Sequence, residues 1–191
     1  MANTFLHKAD LAPRINIKLF GNWDKTIRTI QRLDPTIKKC SIKAQLKVAT
    51  EIQKKVKAHI RNQDLGWKPL SDEYLQDKLA KGLSGGILMA YKAYYENITV
   101  WHSGNQHFVY VGVKKNIYTR NLSGGKSKLP IDKIAFIHEF ASGKRYKRRP
   151  LWNPTIAEMG GARGLRKMYI NSLKWHLRKN GVPVDNVIKS L

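Results

Sequence analysis

Between Ile37 and Ile60 the apolar residues Ile37, Cys40, Ala44, Val48, Ile52, Val56 and Ile60 recur every three or four positions. That spacing lays one stripe along a single helical face, so the pattern predicts a helix running to about Gln63. Asp34 is placed to cap it and Pro35 to open it, where a missing N–H costs nothing. The stripe is expected to be core. The other faces carry Lys38, Lys39, Lys43, Lys47, Lys54, Lys55, Lys57 and Arg61, which read first as a solvated face and second as a DNA-binding one.

Elsewhere the period changes. RINIKLF (14–20) alternates apolar and polar residues, the mark of a strand, and WDKTIRTIQRL after it suits a short helix. Ser71 can cap a helix with Asp72 and Glu73 in its first turn, ending near Gly82. ITVWH (98–102) and HFVYVGV (107–113) read as strands joined by a hairpin loop from Ser103 to Gln106. Residues 114–130 are polar, basic and glycine-containing, and are expected to form a long loop. A helix is expected from about Asp132 to Phe140. Asn153 and Pro154 repeat the cap-and-proline signal ahead of a C-terminal helix. That helix is broken at Gly160–Gly161, resumes through Leu165, Met168, Tyr169, Leu173 and Leu177, and stops near Asn180–Gly181. Residues 1–13 lack periodicity and read as an N-terminal arm on a single domain spanning 1–191.

Length and composition agree with one folded domain: 191 residues, 42% hydrophobic, five tryptophans. The outlier is a formal net charge of +23. Self-repulsion of that size disfavours a compact monomer unless something negative offsets it: DNA, RNA, a membrane surface or an acidic protein. Cys40 is the only cysteine, which excludes an internal disulfide and a cysteine-rich zinc site. MANTFLHKADLAPR has no signal-peptide core, and no run approaches the roughly 18 apolar residues of a membrane span. A soluble chain made in the cytoplasm, with no membrane partner, is the expectation.

The chemical motifs are few. His138–Glu139 invites comparison with a zinc-binding H-E-x-x-H helix, but the sequence runs HEFAS and Ser142 stands where the second histidine is needed. GGKSK (124–128) resembles the end of a phosphate-binding loop, yet Arg120 occupies the position of its first glycine. The two LSGG tetrapeptides (83–86 and 122–125) read as turns. With 13 acidic residues, no nucleophile elbow and one helix-embedded cysteine, no catalytic set is legible; a non-enzymatic chain without metal or cofactor is expected. KRYKRR (144–149) has two readings of equal standing. Its cations could neutralise phosphates while Tyr146 stacks on a base, or the loop could meet an acidic protein surface. A localisation signal is a third.

Five segments occur in a telling order: WKPLSDEYLQDK, GGIL, ENITVWH with FVYVGV, IAFIHEF, and RRPLWNP. In this order the chain resembles the tail-completion, or virion-morphogenesis, family of tailed bacteriophages, and is similar to neck proteins of Mu-like and lambdoid type. The matching positions are Trp67, Pro69, Leu70, Lys78, Ile87, Leu88, Ile137, His138, Glu139, Phe140, Arg149, Pro150, Leu151 and Pro154, over a little under half of the chain. The glycine that follows H-E-F in the family pattern is here Ala141.

The resemblance implies an α+β fold, with a small antiparallel β-sheet packed against a long amphipathic helix, a C-terminal helix and extended loops. It also implies a closed homo-oligomeric ring at the head–tail junction of the virion. The neighbours there would be other neck and tail proteins (portal or adaptor, tail terminator), and packaged DNA lies within reach. A head-to-tail ring needs a projecting element on one side. On that reading 114–130 and 141–153 project, and Arg145, Tyr146, Arg148, Arg149, Pro150, Leu151 and Trp152 form the subunit interface. Leu151 and Trp152 would be its apolar anchor, His138 and Glu139 its brace, and Lys126, Lys128, Lys144 and Lys147 the contacts to DNA or an acidic partner.

Overall fold

The computed structural model describes residues 35–89, 93–103, 108–114, 117–122, 125–140, 147–182 and 184, with the side chains of 93 and 117–129 excepted. The arm at 1–13 and the strand and helix expected between 14 and 33 lie outside these residues. Among the described residues the elements are, in chain order, α1 (Pro35–Asn62), α2 (Asp72–Ala80), α3 (Ala93–Glu96), β1 (Ile98–His102), β2 (Val109–Val113), β3 (Ile117–Leu122), β4 (Gly125–Pro130), α4 (Ile131–Phe140), α5 (Trp152–Glu158) and α6 (Gly161–Lys179). The fold is α+β, with a small antiparallel sheet on a long amphipathic helix and a C-terminal helix beside it.

The α1 stripe is the spine. Ile52, Val56 and Ile60 join Tyr94, Ile98, Val111, Ile131, Ala135, Leu151, Trp152 and Leu165 in the main core. At the other end of α1, Ile37, Cys40 and Ala44 meet Tyr169, Leu173 and Leu177 of α6 in a second cluster. Val48 touches both, so one helix face serves two cores. Ser41 and Tyr169 share a buried hydroxyl–hydroxyl hydrogen bond of 2.8 Å between the same helices. Cys40 is buried there, burial pushes its thiol pKa up, and Asn180 at the end of α6 donates to its sulfur at 3.6 Å.

β1 and β2 pair antiparallel, Ile98 opposite Val113 and His102 opposite Val109. Alternation turns Ile98, Val100, Val109, Val111 and Val113 toward α1 and leaves Trp101 and Tyr110 on the far side. Two α1 glutamines hold the strand backbones as well. Gln53 Nε2 donates to the Ile98 carbonyl at 2.8 Å, and Gln45 Oε1 accepts from the Val109 N–H at 3.1 Å.

The expectation of a loop over 114–130 is corrected: β3 and β4 form a second antiparallel hairpin, Ile117 opposite Pro130 and Leu122 opposite Gly125. Its sequence, IYTRNL facing GKSKLP, has low apolar content and no sustained alternation of apolar and polar residues to mark a strand. A polar ribbon with a tight connection looks like a loop when patterning alone is read.

The C-terminal helix does break at its glycines. Gly160 takes the left-handed conformation (φ 85°), and α6 starts one residue later. A Cβ on Gly164 would overlap the carbonyl oxygen of Met159, so the corner between α5 and α6 needs a glycine there. α6 closes with bonds from the Val182 N–H to the Leu177 carbonyl and from the Gly181 N–H to the Arg178 carbonyl, each 3.0 Å. Below the corner, His59 sits between two carboxylates, Asp64 at 2.6 Å and Glu158 at 2.9 Å, while Lys55 pairs with Glu158 at 2.7 Å. Among the described residues no helix is long and apolar enough to cross a membrane.

Candidate functional site

Glu139 lies in the last turn of α4 and is 2% exposed. Its carboxylate accepts three backbone N–H groups at the start of α5: Leu151 at 2.7 Å and Trp152 at 3.1 Å on Oε2, and Asn153 at 3.1 Å on Oε1. The first N–H groups of a helix have no partner within it, and a negative charge is favoured at that end. Leu151, in the N-cap position, has no side chain that could do this. Glu139 therefore caps a helix of which it is not a part. The cap expected from Asn153–Pro154 is displaced by two residues: α5 begins at Trp152, with Pro154 inside the first turn.

The segment before α5 is tied back to α4. The Arg149 N–H donates to the His138 carbonyl at 2.7 Å, and Arg148 Nε donates to the Glu139 carbonyl at 2.8 Å. Pro150 then offers its carbonyl to Trp67 Nε1 at 2.8 Å. Lys78 of α2 is buried and donates to the Gly86 carbonyl at 2.9 Å. Burial lowers its pKa, and the Arg149 guanidinium lowers it further. Next to Gly86, the Ile87 N–H and carbonyl are both held by the Gln63 side chain, at 2.8 and 3.1 Å. Gln63 Nε2 also donates to the Ile60 carbonyl.

His138 lies close to the same basic side chains, but its ring is neutral. Burial, with Arg149 nearby, pushes its pKa down to about 4. Arg149 itself is held below the usual range by burial, with Tyr74 acting the other way. Segments far apart in sequence (63–67, 74–78, 86–87, 138–139 and 148–153) thus meet in one hydrogen-bonded knot that fixes α2, α4 and α5.

The knot corrects two readings of the 141–153 stretch. Leu151 and Trp152 are 1% and 2% exposed and belong to the chain's own core, where Trp152 Nε1 donates to the Tyr94 hydroxyl at 3.3 Å. They cannot anchor a neighbouring subunit. Arg148 and Arg149 are bonded to the end of α4, so this part of the stretch is held against the helix. Pro150 and Arg149 are half-buried, whereas Lys147 and Arg148 are exposed. Lys126 and Lys128 stand on β4, and Lys144, Arg145 and Tyr146 lie outside the described residues.

Exposed apolar groups are found instead at places the sequence pattern did not single out. Phe136 and Phe140 of α4 are 47% and 46% exposed, with ring centroids 5.2 Å apart. Trp101 and Tyr110 stack at 5.8 Å on the outer face of the first hairpin, and Trp101 also covers Gly112. The i, i+4 spacing of the two phenylalanines was visible, but a helix with apolar residues all round gives no sign of which face the core takes. Among the described residues no three His, Cys, Asp or Glu side chains are grouped as a metal would need. No protein-family model matches the chain, and no curated protein or solved structure matches it either.

Proposed function

We propose that the chain is a structural component of a tailed-phage neck, forming a closed ring that joins the DNA-filled head to the tail. The observation that carries this reading is the convergence of the motif residues. Trp67, Lys78, Ile87, His138, Glu139, Arg149, Pro150 and Leu151, chosen for a resemblance in order alone, come together in one knot. Scattered positions that meet in space are what a shared fold requires of shared motifs. The knot orients helices: all three Glu139 contacts go to backbone N–H groups at the start of α5.

The interface is assigned differently from the sequence expectation. A head-to-tail ring joins two unlike surfaces of identical subunits. Two aromatic faces of different make-up reach solvent, Phe136–Phe140 on α4 and Trp101, stacked on the half-buried Tyr110, on the sheet, and aromatic side chains are favoured anchors at interfaces. In the ring one copy's α4 face meets the next copy's sheet face, while the Glu139 cap holds α4 at its angle.

Quantitative mass spectrometry of purified particles from the source tests the reading. The chain is expected at a copy number comparable to portal or tail-terminator proteins. Absence from particles in a source that expresses it would remove the neck assignment and leave a basic nucleic-acid-binding protein as the alternative.

A further inference from the structure

The positive charge is concentrated in one place. α1 carries eight Lys and Arg residues against a single acid, Glu51, and α6 carries six against none. These two helices hold more than half of the chain's net charge of +23. They run antiparallel, since the start of α1 meets the end of α6 through Cys40 and Asn180. At that end Lys39, Lys43 and Lys47 follow one another at i, i+4 on α1, all exposed, about 6 Å apart along the axis.

Across from them lies the last part of α6. Trp175 is 56% exposed, with Lys179 Nζ 5.1 Å from its ring centroid and the His176 ring edge-on at 4.7 Å. His176 is held below the usual histidine range by burial and by Lys43, Lys47 and Lys179, so lysines of both helices converge on it. Among the described residues none of Lys39, Lys43, Lys47 and Lys179 is in an ion pair. Like charges held this close are unfavourable until a polyanion arrives.

We infer that this end of the α1–α6 pair is a nucleic-acid-binding surface. Lys39, Lys43, Lys47 and Lys179 neutralise successive backbone phosphates, and Trp175 offers its exposed ring to a base or sugar. A row of cations on the same end of a helix pair as an exposed aromatic ring suits a strand bound without regard to its sequence. An acidic protein would also satisfy the charge; what favours a strand is the regular i, i+4 row of unpaired lysines, a repeat suited to an evenly charged polyanion. The inference goes beyond the ring reading and does not depend on it. The site differs from the basic loop around Lys144 and Lys147 that the sequence suggested.

Fluorescence anisotropy of labelled single-stranded and duplex DNA, titrated with the purified full chain over a range of salt, tests the surface. The variant Lys43→Ser/Lys47→Ser/Lys179→Ser is compared with an equal charge loss elsewhere, Lys68→Ser/Lys114→Ser/Lys133→Ser. The patch variant is expected to weaken binding at least tenfold at low salt. Its log–log salt slope should fall by roughly 2 to 3, three phosphates at about 0.7–0.9 each. The matched variant should change affinity less than about threefold, since charges outside the contact act only through a screened field. Trp175→Leu is expected to weaken single-strand binding several-fold with the slope unchanged. All the replaced residues are exposed, and far-UV circular dichroism verifies folding. Equal losses in the two triple variants, or polyglutamate binding as tightly as DNA with the same patch dependence, would overturn the inference. So would no binding by the unmodified chain. None of these outcomes touches the particle measurement, so the two readings can fail separately.

Discussion

Glu139 joins three backbone donors of a different helix, and the consequences of replacing it are unequal. Glu139→Ala leaves the Leu151, Trp152 and Asn153 N–H groups without their acceptor beside the main core. The expected loss is about 3 kcal/mol, read from the midpoint of urea unfolding. Glu139→Gln keeps one acceptor oxygen and should lose less. Its neighbour His138 governs a pH dependence instead. Its folded pKa of about 4 lies below the ordinary value of 6.5, so the fold favours the neutral ring. As pH falls from 6.5 toward 4 the unfolded chain takes up a proton that the folded chain refuses, and stability declines through that window. A shift of this size corresponds to about 3 kcal/mol between pH 7 and pH 4. His138→Gln should flatten that part of the profile relative to the unmodified chain, which isolates this ring from the other titrating groups. A flat difference between the two profiles would show that the ring titrates normally.

At the level of elements, the corner between α5 and α6 depends on one missing methyl group. Gly164→Ala is expected to lower stability by about 1–3 kcal/mol, because the added atom meets backbone that cannot rotate away. Thermal unfolding of the variant checks it, with Ala162→Ser on the exposed face of the same helix as the neutral comparison. The elements also show what patterning can and cannot give. α1 was legible because Ile37 to Ile60 bury one face along the whole length, and the Gly160–Gly161 break because left-handed backbone selects glycine. The β3–β4 hairpin was not legible, since TRN and KSK show no alternation of apolar and polar residues in the sequence. The knot was half legible. Its residues were found as motifs, but Leu151 and Trp152 were placed on the surface, because an Arg-Pro-Leu-Trp run says nothing about whether its apolar end turns in or out. The Gln63 clamp on Ile87 left no mark at all, being a contact between a helix end and a distant turn.

For the whole molecule, the two exposed aromatic faces separate assembly from stability. Phe136→Ser/Phe140→Ser removes two rings that the monomer leaves about half in water, so the fold should be kept at a cost of about 1–2 kcal/mol, read by urea unfolding. Native mass spectrometry is expected to show the ring lost in this variant and kept in the α1–α6 patch variant. A ring that survives the phenylalanine replacements would move the interface elsewhere. The charge map has a bearing on architecture too. If the α4 and sheet faces are consumed between subunits, the cationic α1–α6 pair is left to point toward either the lumen or the rim, and a lumen that conducts DNA is the place where such charge costs least.

The single thiol offers a clock for the parting of α1 and α6. Cys40 is shut beneath Asn180 between α1 and α6, so a thiol reagent can reach it only while the two helices part. The rate of its alkylation in native buffer therefore counts openings of the pair directly, with no second cysteine to confuse the signal. A strand of DNA lying across Lys43 and Lys179 would bridge the two helices and slow that clock, turning a buried side chain into a reporter of what binds above it.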